Sequence, residues 1–211
     1  IVLEHRGEKK HYAARVSLVL GVRKRILGRV ITLNNISERV RLYQRVREAS
    51  LTDSLTGILN RRAFIERGET EIARVLRYQR PLSLAMMDLD NLKTINDEYG
   101  HNAGDNALMT IVQLCQKEMR SSDAIARYGG DEFVILLPET NMAKAFRLAE
   151  RICQSVNKIV LETKPNNNVF LSVSIGLSEF DGKEKLESLL QRADEALYEA
   201  KRSGKNRVVK K

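Results

Sequence analysis

Four acids stand out by position. Asp88 and Asp90 close the apolar run "LSLAMMDLD", and Asp131 and Glu132 sit side by side in "ARYGGDEFVILL" between two apolar stretches. If the strands carrying these runs are neighbours, three or four carboxylates meet at one place. They repel each other unless a cation stands between them. Oxygen ligands with no His or Cys beside them favour a hard ion, Mg²⁺ or Mn²⁺, over zinc. Mg²⁺ held by few carboxylates usually binds substrate phosphates too, which points to nucleotide chemistry with the metal clamping attacking and leaving oxygens. No GxxxxGK[ST] loop is present, which excludes a P-loop. Each pair alone has a plainer reading: Asp90 as the cap of a helix beginning near Asn91, Asp131 as a turn residue. Gly129 and Gly130 are read as a tight hairpin turn, suited to it because glycine takes positive φ freely.

The elements that must position these acids follow from periodicity. A helix is expected through Ile65, Ile72 and Leu76, ended by Pro81, then the apolar strand to Asp90. A short helix runs to Gly100, a C-cap, and the next carries Leu108, Ile111, Val112 and Cys115. After the hairpin come a helix through Phe146, Ala149, Ile152, Cys153 and Val156 and a strand over "FLSVSIGLSEF". The last helix holds Leu186, Leu189, Leu190, Ala193, Ala196, Leu197 and Ala200 at 3-4 spacing, and "NRVVK" is a closing edge strand. Apolar strands alternating with helices predict an α/β domain, a central mixed sheet covered by helices. Upstream, residues 11–35 read as two strands around a polar turn at residues 21–25, and residues 38–52 as an amphipathic linker helix. It is either a dimeric connector or a helix packed on its own domain.

Composition limits the classes. Of 211 residues, 43% are hydrophobic and 30% charged, which suits a globular chain. No apolar run approaches a membrane span of about 18 residues, and no secretory signal is visible. Residue 1 is Ile, so a fragment is expected, in the cytoplasm, with any membrane tether in an upstream segment. The net charge of +9 is uneven: residues 1–50 hold 12 Lys/Arg against 4 Asp/Glu, and residues 51–211 hold 24 against 23. The larger part therefore has no global basic field, and with no aromatic interleaving a nucleic-acid partner is not expected. Cys115 and Cys153 lie on apolar stripes without metal-like spacing and read as buried reduced thiols.

"RYGGDEF" at 127–133 resembles the signature of GGDEF-domain diguanylate cyclases. "DSLTGILNRR" at 53–62, "DLDNLKTINDEYGHNAGD" at 88–105 and "ADEALYEAKRSGKNRV" at 193–208 resemble three further motifs of that family, in order. Leu92 stands where the family usually has Phe. The resemblance covers about residues 51–209 and implies a nucleotidyl-cyclase-like fold. It also implies condensation of two GTP into cyclic di-GMP with loss of two pyrophosphates, in a homodimer whose two domains face each other.

Residue by residue, it implies that Asp88, the Leu89 carbonyl and Asp131 bind Mg²⁺. Asp131 is the candidate base for the ribose 3′-hydroxyl, with Glu132 beside it helping to hold a second metal. Asn96 and Asp105 read guanine, whose N–H donors suit a carboxylate and an amide. His101 contacts base or ribose, and Lys93, Lys201 and Lys205 neutralise phosphates. Arg120 and Asp123 in "RSSD" resemble the RxxD product-inhibition motif, with Arg151 as a further contact for cyclic di-GMP. Residues 1–37 resemble the end of a PAS sensor domain, residues 38–52 its signalling linker, and residues 53–211 the cyclase domain. A rival class is a catalytically silent receptor that binds GTP or cyclic di-GMP and acts through a partner. The intact acids at 88, 131 and 132 favour the enzyme.

Overall fold

The computed structural model describes residues 2–5, 8–20, 26–40, 51–164 and 167–211. The chain divides into two units, Ile1–Ser50 and Leu51–Lys211. The first is a three-stranded antiparallel sheet of β1 (Val2–His5), β2 (Glu8–Leu20) and β3 (Ile26–Asn35), one strand more than the sequence suggested. Its β2–β3 register places Ala14 opposite Leu33 and Val16 opposite Ile31. Residues 37–40 are helical, while the predicted turn at 21–25 and most of the predicted linker helix, residues 41–50, lie outside the described residues.

The second unit runs β4 (Leu59–Asn60), α1 (Arg61–Tyr78), β5 (Leu82–Leu89), α2 (Leu92–Tyr99), α3 (His101–Glu118), β6 (Ala124–Arg127) and β7 (Glu132–Pro138). It continues α4 (Met142–Val156), β8 (Val160–Lys164), β9 (Asn167–Phe170), β10 (Val173–Glu179), α5 (Leu186–Arg202) and β11 (Val208–Lys210). The sheet order is β11-β10-β5-β7-β6-β4. β5 pairs antiparallel with both neighbours, whereas the edge pairs β10–β11 and β4–β6 are parallel, so the sheet is mixed as predicted.

Every residue of β5 is buried. A strand flanked on both edges and covered on both faces needs a nearly continuous apolar run, which "LSLAMM" supplies, its one polar side chain, Ser83, donating to the Thr140 carbonyl at 2.8 Å. Beneath α3 and α4, Met87, Phe133 and Ile135 pack with Ile111, Val112, Ile152 and Val156. Beneath α1 and α5, Leu84, Val134 and Leu136 pack with Phe64, Leu189 and Leu197. Each such side chain contributes about 1.5–3 kcal/mol on full burial, so these two layers, not surface ion pairs, hold the frame. A Cβ built on Gly176 in β10 would collide with the α5 backbone at Ala193 and Leu197, so glycine there sets how closely α5 lies on the sheet.

Three sequence expectations change. α1 buries Ala63, Phe64, Gly68 and Glu71, and Ile65 and Ile72 pack partly buried against the same core, so of the expected stripe only Leu76, 51% exposed, faces away. The run "FLSVSIGLSEF" is broken at residues 171–172: Phe170 ends β9, which among the described residues pairs with β8 alone, and β10 begins at Val173. The hairpin glycines are not left-handed, since the positive-φ glycines are 57, 100, 182 and 204. The value of Gly129 is room, since a side chain there would press on Glu132, whereas the space around Gly130 is open.

The candidate active site

The ends of β5 and β7 bring the acid pairs together. Asp88 lies directly opposite Glu132 in the β5–β7 ladder, and Leu89 N–H donates to the Asp131 carbonyl at 3.2 Å. Asp88 is 5% exposed. Burial pushes its carboxyl up to about 6; Lys201 pulls it down, and the charges of Asp131 and Asp90 push it up again. Lys201, on the last turns of α5, places Nζ 2.7 Å from Asp88 Oδ2. A carboxylate crowded by like charge and answered by one lysine suits a hard cation. Among the described residues, no group of three or more His, Cys, Asp or Glu side chains is placed to hold a metal ion, so the expected meeting of three or four carboxylates at one spot is not seen.

On the other side of the hairpin, Asp131 lines a cleft of about 490 Å³ with Lys93, Asn96, His101 and Asp105. The α2–α3 corner makes this cleft. Gly100 ends α2 at φ 85°, with its N–H on the Asn96 carbonyl at 2.9 Å, and α3 begins at once. Asn96 Oδ1 is buried without a hydrogen-bond partner among the described residues. A Cβ built on Gly104 would strike that oxygen, so glycine at 104 makes room for the amide. Lys205 lies apart from this group and donates to Asn91 Oδ1 at 2.6 Å.

The hairpin is braced from behind. Arg127 Nη1 reaches both Asp53 carboxylate oxygens at 3.2 and 3.3 Å, and its Nε and Nη2 donate to the Gly130 carbonyl at 3.1 and 2.7 Å. Although burial disfavours the Asp53 charge, hydrogen bonds from Thr56 and then Arg127 hold its carboxyl below the usual range. Neither role was found in the sequence, because the two residues are 74 apart.

Asp90 also departs from expectation. The helix cap is Asn91, left-handed at φ 61° and without a side-chain capping bond. The Asp90 carboxylate turns inward instead, to Ser172, Ser174 and the Asn206 amide.

Arg120, Asp123 and Arg151 line one surface cleft of about 350 Å³ with Arg147 and Lys144. Asp123 Oδ2 accepts from the Arg120 amide at 2.9 Å, and Arg151 pairs with Glu118. Arg120 also borders a second cleft, of about 370 Å³, with Arg67, Arg74 and Arg80, none of which sequence reasoning singled out. Cys115 and Cys153 are free and buried, and burial pushes both thiols up to about 12. No described helix is long and apolar enough to cross a membrane.

Known proteins resemble this arrangement. The diguanylate cyclase DosC of Escherichia coli K12 is 41% identical over 92% of this chain and 41% of its own. The diguanylate cyclase DgcP of Pseudomonas aeruginosa is 37% identical over 97% of this chain and 30% of its own. The chain thus spans less than half the length of these curated relatives. The coiled coil and GGDEF domain of DgcB from Caulobacter crescentus, solved with c-di-GMP, superposes with a TM-score of 0.78 at 31% identity, covering 82% of this chain and 93% of that one. The diguanylate cyclase SiaD of P. aeruginosa, solved with its activator SiaC, gives a TM-score of 0.74 at 36% identity, covering 83% of this chain and 69% of that one. Residues 50–207 match the model of the family described as diguanylate cyclase, GGDEF domain, and with its paired acids at the β5 and β7 ends the chain belongs to that family.

Proposed function

We propose that this chain condenses two GTP into cyclic di-GMP and two pyrophosphates. One observation carries the reading: Asp88 faces Glu132 across the ladder while Asp131, next in sequence, lines the cleft of Asn96 and Asp105. Carboxylates for a metal and groups for a purine edge thus flank a single hairpin. Asn96, with its unpaired oxygen, and Asp105 would accept guanine N–H groups, and His101 would lie against base or ribose. Mg²⁺ or Mn²⁺, held by Asp88, the Leu89 carbonyl and Asp131 with Glu132 beside them, would neutralise the triphosphate and polarise its α-phosphorus.

The chain's own residues do the rest. Asp131 takes the proton of the 3′-hydroxyl. That oxygen forms a bond to the α-phosphorus of the second GTP, and pyrophosphate leaves with the bond it breaks. Lys93, Lys201 and Lys205 balance phosphate charge. A second such transfer closes the ring, so two chains must face each other as a homodimer.

Cyclic di-GMP would also bind at Arg120, Asp123 and Arg151 as feedback, since an arginine fork and a carboxylate complement its phosphates and guanines. Residues 1–37 we read as the end of a PAS-like sensor, and residues 38–52 as the linker through which an upstream input, or a membrane tether, would act. The test is incubation with GTP and Mg²⁺ followed by chromatography. Cyclic di-GMP is expected; binding of GTP with no product would support the silent receptor instead.

A further inference from the structure

Asp90 is as buried as Asp88, at 4%, yet no step of the reaction above uses it. Its surroundings are complete. Oδ1 accepts from Ser174 Oγ at 2.8 Å, and Oδ2 accepts from Ser172 Oγ at 2.9 Å and from the Asn206 amide at 3.1 Å. Its own amide donates to the Ser172 carbonyl at 3.0 Å. One carboxylate therefore ties the end of β5 to the start of β10 and to the turn after α5.

That turn is unusual. Lys205 and Asn206 are consecutive non-glycine residues in the left-handed region, at φ 60° and 49°, and Gly204 precedes them at φ 113°. Such conformations persist only where neighbouring contacts outweigh their cost. The Asn206 amide on Asp90 is one such contact, and the Lys205 amide on the Ala200 carbonyl at 3.0 Å is another. On the far side of Asp90, Asn91 is left-handed too, and its Oδ1 receives the Lys205 ammonium. The two strained turns that flank Asp90 thus meet through Lys205.

We infer that Asp90 is a positioning residue for the triphosphate: by holding the Asn206 amide it fixes the 204–206 turn and so aims Lys205 at the phosphates. This rests on the GTP reading above. It assigns to Asp90 an effect on phosphate affinity that leaves guanine recognition at the α2–α3 corner alone.

The experiment is calorimetric titration, with Mg²⁺, of guanosine and of guanosine 5′-(α,β-methylene)triphosphate into the full chain. Asp90→Ala is expected to weaken the triphosphate about tenfold and guanosine by less than about twofold, the range of one charge-assisted hydrogen bond. Asp90→Asn keeps an acceptor for the Asn206 amide and should restore most of the triphosphate affinity. If Asp90→Ala fails to fold, Ser172→Ala decides: it removes the second donor to Oδ2, loosening the carboxylate that holds the Asn206 amide, and should weaken the triphosphate about threefold with guanosine unchanged. Equal weakening of both ligands, or no weakening in Asp90→Ala or, failing that, in Ser172→Ala, overturns the inference. A wild type that binds neither ligand overturns the GTP reading itself, and this one with it.

Discussion

Asp88 and Asp90 are two residues apart, equally buried, and physically opposite. Asp90 receives three hydrogen bonds, from two serine hydroxyls and an amide. Among the described residues Asp88 has Lys201 alone; it faces Glu132 and is pushed up to about 6 by burial, with the charges of Asp131 and Asp90 adding to that. Depth therefore does not separate the two acids; the supply of donors does. A satisfied carboxylate holds segments together. An under-supplied one keeps capacity for a ligand. Asn96 falls on the Asp88 side of this division, with a buried oxygen and no partner among the described residues.

The largest effects should come from the acids proposed to hold the metal. Asp88→Asn and Asp131→Asn are each expected to lower cyclic di-GMP formation by on the order of 10²-fold or more, as measured by chromatography. Near-wild-type turnover in Asp131→Asn would break the comparison, because the hairpin acids would then be ornamental. Gly104→Ala extends the test to Asn96. The added methyl displaces the amide oxygen, so KM for GTP should rise about tenfold with a smaller change in kcat. An unchanged KM would remove Asn96 from guanine recognition.

Stability should move in opposite directions at the two acids. Asp90→Ala strands three donors, one on a strained turn, and is expected to cost about 2–4 kcal/mol in denaturant unfolding. Asp88→Asn should instead stabilise the metal-free protein at pH 7.5, by on the order of 1–3 kcal/mol, the Lys201 contact already being included in the raised value. The sign follows from the raised carboxyl: its folded value of about 6 exceeds the ordinary 3.8, so the folded state binds the proton more tightly. That stabilisation is complete below about pH 4 and is lost as pH rises through about 6. The gain from Asp88→Asn should accordingly shrink to nothing near pH 4. A gain independent of pH would show that charge is not its cause.

The smallest effect on rate belongs to Arg120, an exposed residue outside both acids' reach. Arg120→Ala should leave initial rates within about twofold while weakening cyclic di-GMP binding in calorimetry. Equal affinity in the two proteins would make Arg120 and Asp123 an ordinary surface turn.

Much of the site was legible because it is local. The acids end apolar runs, and strands five to eight residues long show that plainly in "LSLAMMDLD" and "FVILL". The α2–α3 corner was marked by Gly100. What could not be read is what the fold brings from afar. The partners of Asp90 lie 82, 84 and 116 residues on, so local pattern offered only a helix cap. The same distance hid the clasp of Asp53 and Arg127. The break before β10 was invisible because Leu171 keeps the run apolar while turning inward to the core. For Gly129 the residue type was legible but its reason was not: space rather than handedness.

The central claim is that Asp88 and the hairpin acids serve a metal that the triphosphate needs. Titration of guanosine 5′-(α,β-methylene)triphosphate into wild type and Asp88→Asn, each with and without Mg²⁺, tests it most directly. Mg²⁺ is expected to tighten binding at least about tenfold in wild type and to have little effect in Asp88→Asn. An equal Mg²⁺ effect in the two proteins, or none in wild type, would contradict it.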